Sequence, residues 1–174
     1  MGTEGSTTVI RGFKISVVTL DAFLAAHNVD ETYSAPPFYR HHPDDDPISK
    51  LLFSKISQHD QNADKNKFRV LIPTYESMPN FKTAYVAYAW VPVMTHREIN
   101  MDEDLPAEIP RGFEELRQEI LSYAEYAKDE YGNEAKDEDK IADEGKMGVF
   151  VIITHNVRGG YRKDQWELYA PEGL

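Results

Sequence analysis

The sequence predicts one α+β domain with helices packed on a central sheet, mixed in direction but mostly antiparallel. Three observations carry that expectation. From Ala84 to Met94 the chain reads Ala-Tyr-Val-Ala-Tyr-Ala-Trp-Val-Pro-Val-Met, without one charge. Side chains alternate across a strand, so Val86, Tyr88, Trp90 and Met94 share one side and Tyr85, Ala87, Ala89, Val91 and Val93 the other. A strand apolar on both sides belongs in the middle of a sheet. Gly148 to Thr154 is a second such strand, with Val149, Val151 and Ile153 against Phe150 and Ile152. Between the two lies the best helix of the chain, starting at Pro110, with Phe113, Leu116, Ile120, Ala124, Ala127 and Tyr131 at helical spacing.

The remaining elements follow in order. Met1-Gly2-Thr3-Glu4-Gly5-Ser6 fits the minimal myristoylation pattern, but no polybasic patch stands beside it and one acyl chain anchors only marginally. The segment reads as a flexible terminus. Gly12 to Val18 is a first strand with Phe13, Ile15 and Val17 on one face. Thr19 is placed to cap a short helix that carries Leu20, Phe23 and Leu24 and ends near Asn28. A loop containing Tyr33, Pro36, Pro37 and Tyr39 follows. Asp46-Pro47 then opens a second helix, with a capping carboxylate and a proline at the first helical position. Ile48, Leu51, Leu52 and Ile56 form its apolar stripe.

Phe68 to Ile72 is a strand, and the turn residues Ser77-Met78-Pro79-Asn80 join it to the long apolar strand as a hairpin. Pro92 bulges or ends the pairing there, having no donor for the ladder. Asn100 to Pro110 reads as a surface loop. Glu114 and Glu115 in the first turn of the long helix favour its dipole. Asp129 to Glu144 is mostly charge, which predicts a solvated, mobile acidic insert around 129–145. Arg158-Gly159-Gly160 is a turn, and Lys163 to Ala170 is a short closing strand with Trp166 and Leu168 inward. The order is β-α-α-β-β-α-β-β in a single domain spanning 1–174. Trp90 is expected beneath the helix stripe of Phe113, Leu116 and Ile120.

Composition narrows the function classes. At 174 residues the chain can bury one full core. It has no cysteine, which excludes disulfides, thiol catalysis and thiolate metal sites. A net charge of −11 argues against nucleic acid and anionic membrane surfaces as partners. With no sequon, no apolar leader and no run of transmembrane length, the expectation is a cytoplasmic protein. No Ser-His-Asp order, P-loop, Rossmann fingerprint or His-Glu-x-x-His stands out.

Two segments carry a resemblance. Asp44-Asp45-Asp46-Pro47-Ile48-Ser49-Lys50-Leu51-Leu52-Phe53 is similar to the second-helix segment of the GNAT-superfamily N-acetyltransferases of fungal type, and Val86-Ala87-Tyr88-Ala89-Trp90 to their third strand. Ile153-Thr154-His155-Asn156 is a weaker match where the family's fourth strand ends. The resemblance implies a GNAT-like fold and transfer of an acyl group from acetyl-CoA to a small-molecule amine. Near Thr154 or His155 a strand amide would hold the acetyl oxygen, and His155, His96 or Glu98 would deprotonate the amine. The pyrophosphate would fall to Arg158, Gly159, Gly160, Arg162 and Lys163. In the family that loop reads Arg/Gln-x-x-Gly-x-Gly/Ala at a helix N-terminus. Here the glycines and cations are present without that spacing, so the resemblance implies a coenzyme A half that is truncated or degenerate.

Each candidate has a plainer reading. His155 and His96 are also histidines emerging at strand ends. The run His41-His42-Pro43-Asp44-Asp45-Asp46 holds metal-ligand types, but consecutive residues cannot all face one ion, and no metal site is assigned. His27 reads as a packed or helix-capping histidine. Tyr123 and Tyr126 read as the edge of the core, although GNAT-like enzymes commonly use a tyrosine to protonate the leaving thiolate. The alternative to an enzyme is a non-catalytic binding domain. Three helices cover one side of a sheet that is apolar on both, so a partner chain or a second copy would cover the other.

Overall fold

The computed structural model describes residues 3–29, 47–63, 69–71, 82–92, 98–129, 131–157 and 167–169. The expected loop at Tyr33–Tyr39, the Asp46 cap, the histidine–aspartate run and the Ser77–Asn80 turn lie outside them. The order is β1 (Thr3–Ser16), α1 (Val17–Ala26), α2 (Pro47–Ser57), β2 (Arg69–Leu71), β3 (Thr83–Pro92), α3 (Met101–Asp104), α4 (Phe113–Ser122), β4 (Met147–Val157) and β5 (Glu167–Tyr169). The fold is α+β, and α3 is an element the sequence reading does not include. The five strands stand in the order β2-β3-β1-β4-β5. Every described pair is antiparallel, where a mixed sheet is expected.

β1 sits in the middle because both of its flanks are used. It pairs with β3 from Thr8 to Ser16 and with β4 from Thr3 to Phe13. The expectation of a flexible terminus and a strand starting at Gly12 is corrected on this point: backbone pairing with β4 extends the strand back to Thr3. The chain leaves β1, crosses in helices to β2, turns back along β3, and crosses again through α4 to β4. This split β-α-β arrangement brings elements distant in sequence into one sheet.

The helices gather on one face. Leu20, Phe23 and Leu24 of α1, Ile48, Leu52 and Ile56 of α2, and Phe113, Leu116 and Ile120 of α4 are buried against Phe13, Ile15, Ala84 and Val86. Those residues are the expected apolar stripes. Phe13 and Phe113 meet with ring centroids 5.5 Å apart. The opposite face carries a smaller cluster of Ile10, Tyr85 and Ala87, bordered by the half-buried Trp90 and Phe150.

Trp90 is on that second face, which corrects its expected place beneath α4. The cause is a β-bulge. Arg11 pairs with Ala89 and Gly12 with Ala87, so Tyr88 is an extra residue with no partner on β1. One extra residue reverses the alternation of everything beyond it. Tyr88 keeps to the helix face with Val86, Ala89 and Val91 join it there, and Trp90 turns away. The bulge requires a glycine opposite. A Cβ on Gly12 would stand 1.9 Å from the Val86 carbonyl oxygen and 2.8 Å from Ala87 Cα.

Four local differences have similar physical causes. Helix α1 begins at Val17 after Ser16, and Thr19 lies inside it rather than capping it. Its cap comes from far along the chain. Glu144 Oε1 accepts from the Ser16 amide at 3.0 Å and from Thr19 Oγ1 at 2.7 Å, while the Ile141 amide donates to Ser16 Oγ at 2.9 Å. The acidic insert is mostly exposed, yet its far end is anchored by these bonds. The loop after Asn100 winds into α3, because Asn100 Oδ1 accepts from the amides of Asp102 and Glu103 at 3.1 and 3.3 Å. Helix α4 starts at Phe113 rather than Pro110, since Gly112 has φ +87° and leaves no helical continuation behind it. It tightens into a 3₁₀ turn at Tyr123–Tyr126, so Tyr131 leaves the expected stripe and is 81% exposed.

Two stability measurements follow. Gly12→Ala forces the β1 and β3 backbones apart at the bulge and is expected to cost about 3 kcal/mol in urea unfolding. A cost within a few tenths of that for an ordinary surface alanine rules the constraint out. Glu144→Ala is expected to cost about 2 kcal/mol, because it leaves a buried hydroxyl and a helix-terminal amide unpaired. Glu144→Gln keeps an accepting oxygen and should cost less; equal losses would show that the bonds are not the cause.

Candidate functional site

Of the residues singled out from the sequence, Thr154, His155 and Glu98 lie among the described residues. Since β3 and β4 both run antiparallel to β1, their C-terminal ends lie at the same end of the sheet, with β1 between them. Thr154 and His155 are consecutive in β4, opposite Ser6 and Gly5 on one flank and Leu168 and Glu167 on the other. The backbone groups at these two positions therefore face a neighbouring strand whichever way they point. Glu98 is exposed, ahead of α3. His96, Arg158, Gly159, Gly160, Arg162 and Lys163 lie outside the described residues.

The other candidates resolve into structural roles. His27 closes α1, with Nδ1 2.8 Å from the Phe23 carbonyl oxygen and its ring tilted against Phe23, centroids 4.5 Å apart. Its Nε2 is 4.0 Å from Glu119, whose carboxylate accepts from Lys55 at 2.7 Å. Tyr123 meets Phe23 edge-on at 5.7 Å, and Tyr126 is 62% exposed. Among the described residues, no three His, Asp or Glu side chains are grouped to hold a metal ion, and no helix is long and apolar enough to cross a membrane.

A different pair stands out on the helix-covered face. β1 runs Val9, Arg11, Phe13, Ile15 along that face, so a guanidinium interrupts an otherwise apolar row. Arg11 is in register with Ala89 on β3 and Val149 on β4. The bulge brings Tyr88 beside it. The Tyr88 hydroxyl donates to the Pro106 carbonyl at 3.3 Å, and its ring meets Phe113 edge-on at 4.9 Å. Burial pushes the Tyr88 phenol above its usual range, while the charge and hydrogen bond of Arg11 pull the other way. The phenol is thus protonated at neutral pH and free to donate to Pro106. Arg11 Nε is buried and has no hydrogen-bond partner among the described residues. Arg11 as a whole keeps part of its surface open.

Sequence reasoning missed this pair, although a signal existed. Alternation from Val9 to Ile15 puts Arg11 on the core side once the strand is extended N-terminal to Gly12. Tyr88 could not be matched to it, because the bulge that sets their proximity has no sequence mark beyond Gly12 itself. Comparison with protein-family models, curated proteins and solved structures finds no match to this chain.

Proposed function

We propose that this chain is a non-catalytic binding domain that pairs with a second copy of itself through the sheet face opposite its helices. The supporting observation is the aromatic rim of that face. Ile10 and Ala87 are fully buried at its centre, and Trp90 and Phe150 beside them are only half covered. Tyr85 and Phe150 pack with centroids 4.9 Å apart. Charge confines contact with a second copy to this patch. With a net charge of −11, two copies repel across most of their surfaces. The described residues of this cluster include no acid, and a two-fold pairing needs only one self-complementary patch.

Light scattering and sedimentation equilibrium test the reading. The expected result is a dimer that Trp90→Glu or Phe150→Glu converts to a folded monomer. A wild-type chain that is strictly monomeric at high concentration overturns it.

The order β-α-α-β-β-α-β-β supports a second reading, an acyl-CoA-dependent N-acyltransferase relative of GNAT type acting on a small amine. Strand pairing on both flanks of Thr154 and His155 weighs against it, since an amide that holds the acetyl oxygen must be free of the ladder. Titration calorimetry with acetyl-CoA and with CoA separates the two readings. No heat at millimolar ligand is expected; saturable binding would favour the transferase.

A further inference from the structure

We propose that Lys14 and Lys146 form a binding site for the phosphate group of a small aryl phosphate, at the α1 end of the outer sheet face. The site borders the proposed pairing surface and does not rest on it.

A bulge sets the two lysines side by side. The Gly145 amide donates to the Lys14 carbonyl at 2.7 Å, and the Lys14 amide donates to the Lys146 carbonyl at 3.2 Å. Gly145, at φ +84°, and Lys146 therefore stand together opposite Lys14. Arg117 fixes this turn from α4 by donating to the Gly145 carbonyl at 2.8 Å. Phe13 and Met147 pack on the helix side, so Lys14 and Lys146 beside them fall on the outer face. Solvent reaches both there: Lys146 is exposed and Lys14 half-buried.

Like charges directly opposite one another on a sheet repel. A chain with 30 acidic and 19 basic side chains could answer each lysine with a carboxylate. Among the described residues, however, the ion pairs engage His27, Lys55 and Arg117. Glu144, the acid nearest Lys146 in sequence, is bonded to Ser16 and Thr19. Two positive charges thus stand together on an accessible patch of a strongly acidic chain.

The surroundings choose the anion. Two ammonium groups match the charge of a phosphate monoester at neutral pH. As compact point charges they suit its tetrahedral oxygens better than a planar carboxylate. Next along β4 is Gly148, half-buried and without a side chain. The Phe150 ring lies 3.4 to 3.9 Å from the place a Cβ would take there, so it leans toward the lysines. Tyr85, in register with Lys14, packs on Phe150 with centroids 4.9 Å apart. An aryl group on the phosphate meets the uncovered part of Phe150.

The amide resonances of Lys14, Lys146 and Gly148 in ¹⁵N-labelled full-length protein read the site. Phenyl phosphate, slightly above neutral pH and at constant ionic strength, is expected to move them saturably at millimolar concentration. Lys14→Gln and Lys146→Gln should each weaken binding roughly tenfold. Lys128→Gln, at an exposed lysine of the acidic stretch, should leave it unchanged. Benzenesulfonate, a monoanion of similar shape, should bind more weakly, and phenol should not move the signals. Without ligand, neither substitution in the pair is expected to lower the melting temperature, since each removes one of two like charges. Signals that phenyl phosphate does not move overturn the site, as does equal weakening by Lys128→Gln or equally tight binding of benzenesulfonate. A drop of several degrees in both unliganded variants assigns the lysines to structure and overturns it too. Sedimentation of the same samples reports pairing separately, so a monomer that binds phenyl phosphate leaves this site standing.

Discussion

The contact between Gly12 and the backbone of Val86 and Ala87 decides what each face of the sheet presents. With no side chain at Gly12, β3 approaches closely enough to take in one residue more than β1 opposes. Without that residue Tyr88 and Trp90 would share a face, as strict alternation requires. With it, Tyr88 stays on the helix side near Arg11 while Trp90 joins Ile10 and Phe150 on the other side. The polar pair of the core and the aromatic rim of the outer face thus have one origin. Bulges commonly re-aim side chains, and this one turns Trp90 away from the face that Tyr88 keeps.

The second constraint is the joint where β1 becomes α1. A strand that runs directly into a helix leaves amides with no intrahelical acceptor. Ser16 does not cap with its own side chain. Its hydroxyl instead accepts from Ile141, and the missing acceptor arrives as the Glu144 carboxylate. Gly145 and Lys146 then exchange backbone bonds with Lys14 at 2.7 and 3.2 Å, which delivers the chain into β4 in register. The acidic stretch therefore ties the first helix to the fourth strand. Arg117 adds a tie from α4 by donating to the Gly145 carbonyl at 2.8 Å.

These two features mark the boundary of what could be read from the sequence. Apolar periodicity placed the helices and the two long strands well, since Leu20, Phe23, Leu52, Ile56, Leu116 and Ile120 bury where their spacing puts them. Such patterns are local and add along the chain. The bulge, the remote cap and the extension of β1 to Thr3 are long-range events. Each depends on which segment lies alongside, as when Thr3 to Thr8 are ordered by residues 152–157. Composition at the N-terminus reads as flexible because nothing in it foretells that partner. The site was less legible than the fold for the same reason: Arg11 and Tyr88 are far apart in sequence and meet only through the register of two strands.

An interior cation also bears on how the domain is used. Where a sheet face serves only to pack helices, an apolar residue at position 11 would be cheaper, because replacing buried charged groups with well-packed hydrophobic ones is often neutral or stabilising. The same economy applies to Tyr88, whose hydroxyl must find Pro106 to be tolerated at 4% exposure. Both side chains carry a desolvation cost that packing alone does not require. They share the helix-covered face with the partly covered Val149 and Val151, while the other buried polar side chains, Ser16 and Thr19, are bonded at the joint of β1 and α1. By contrast, the strand end at Thr154 and His155 spends its backbone groups on β1 and β5.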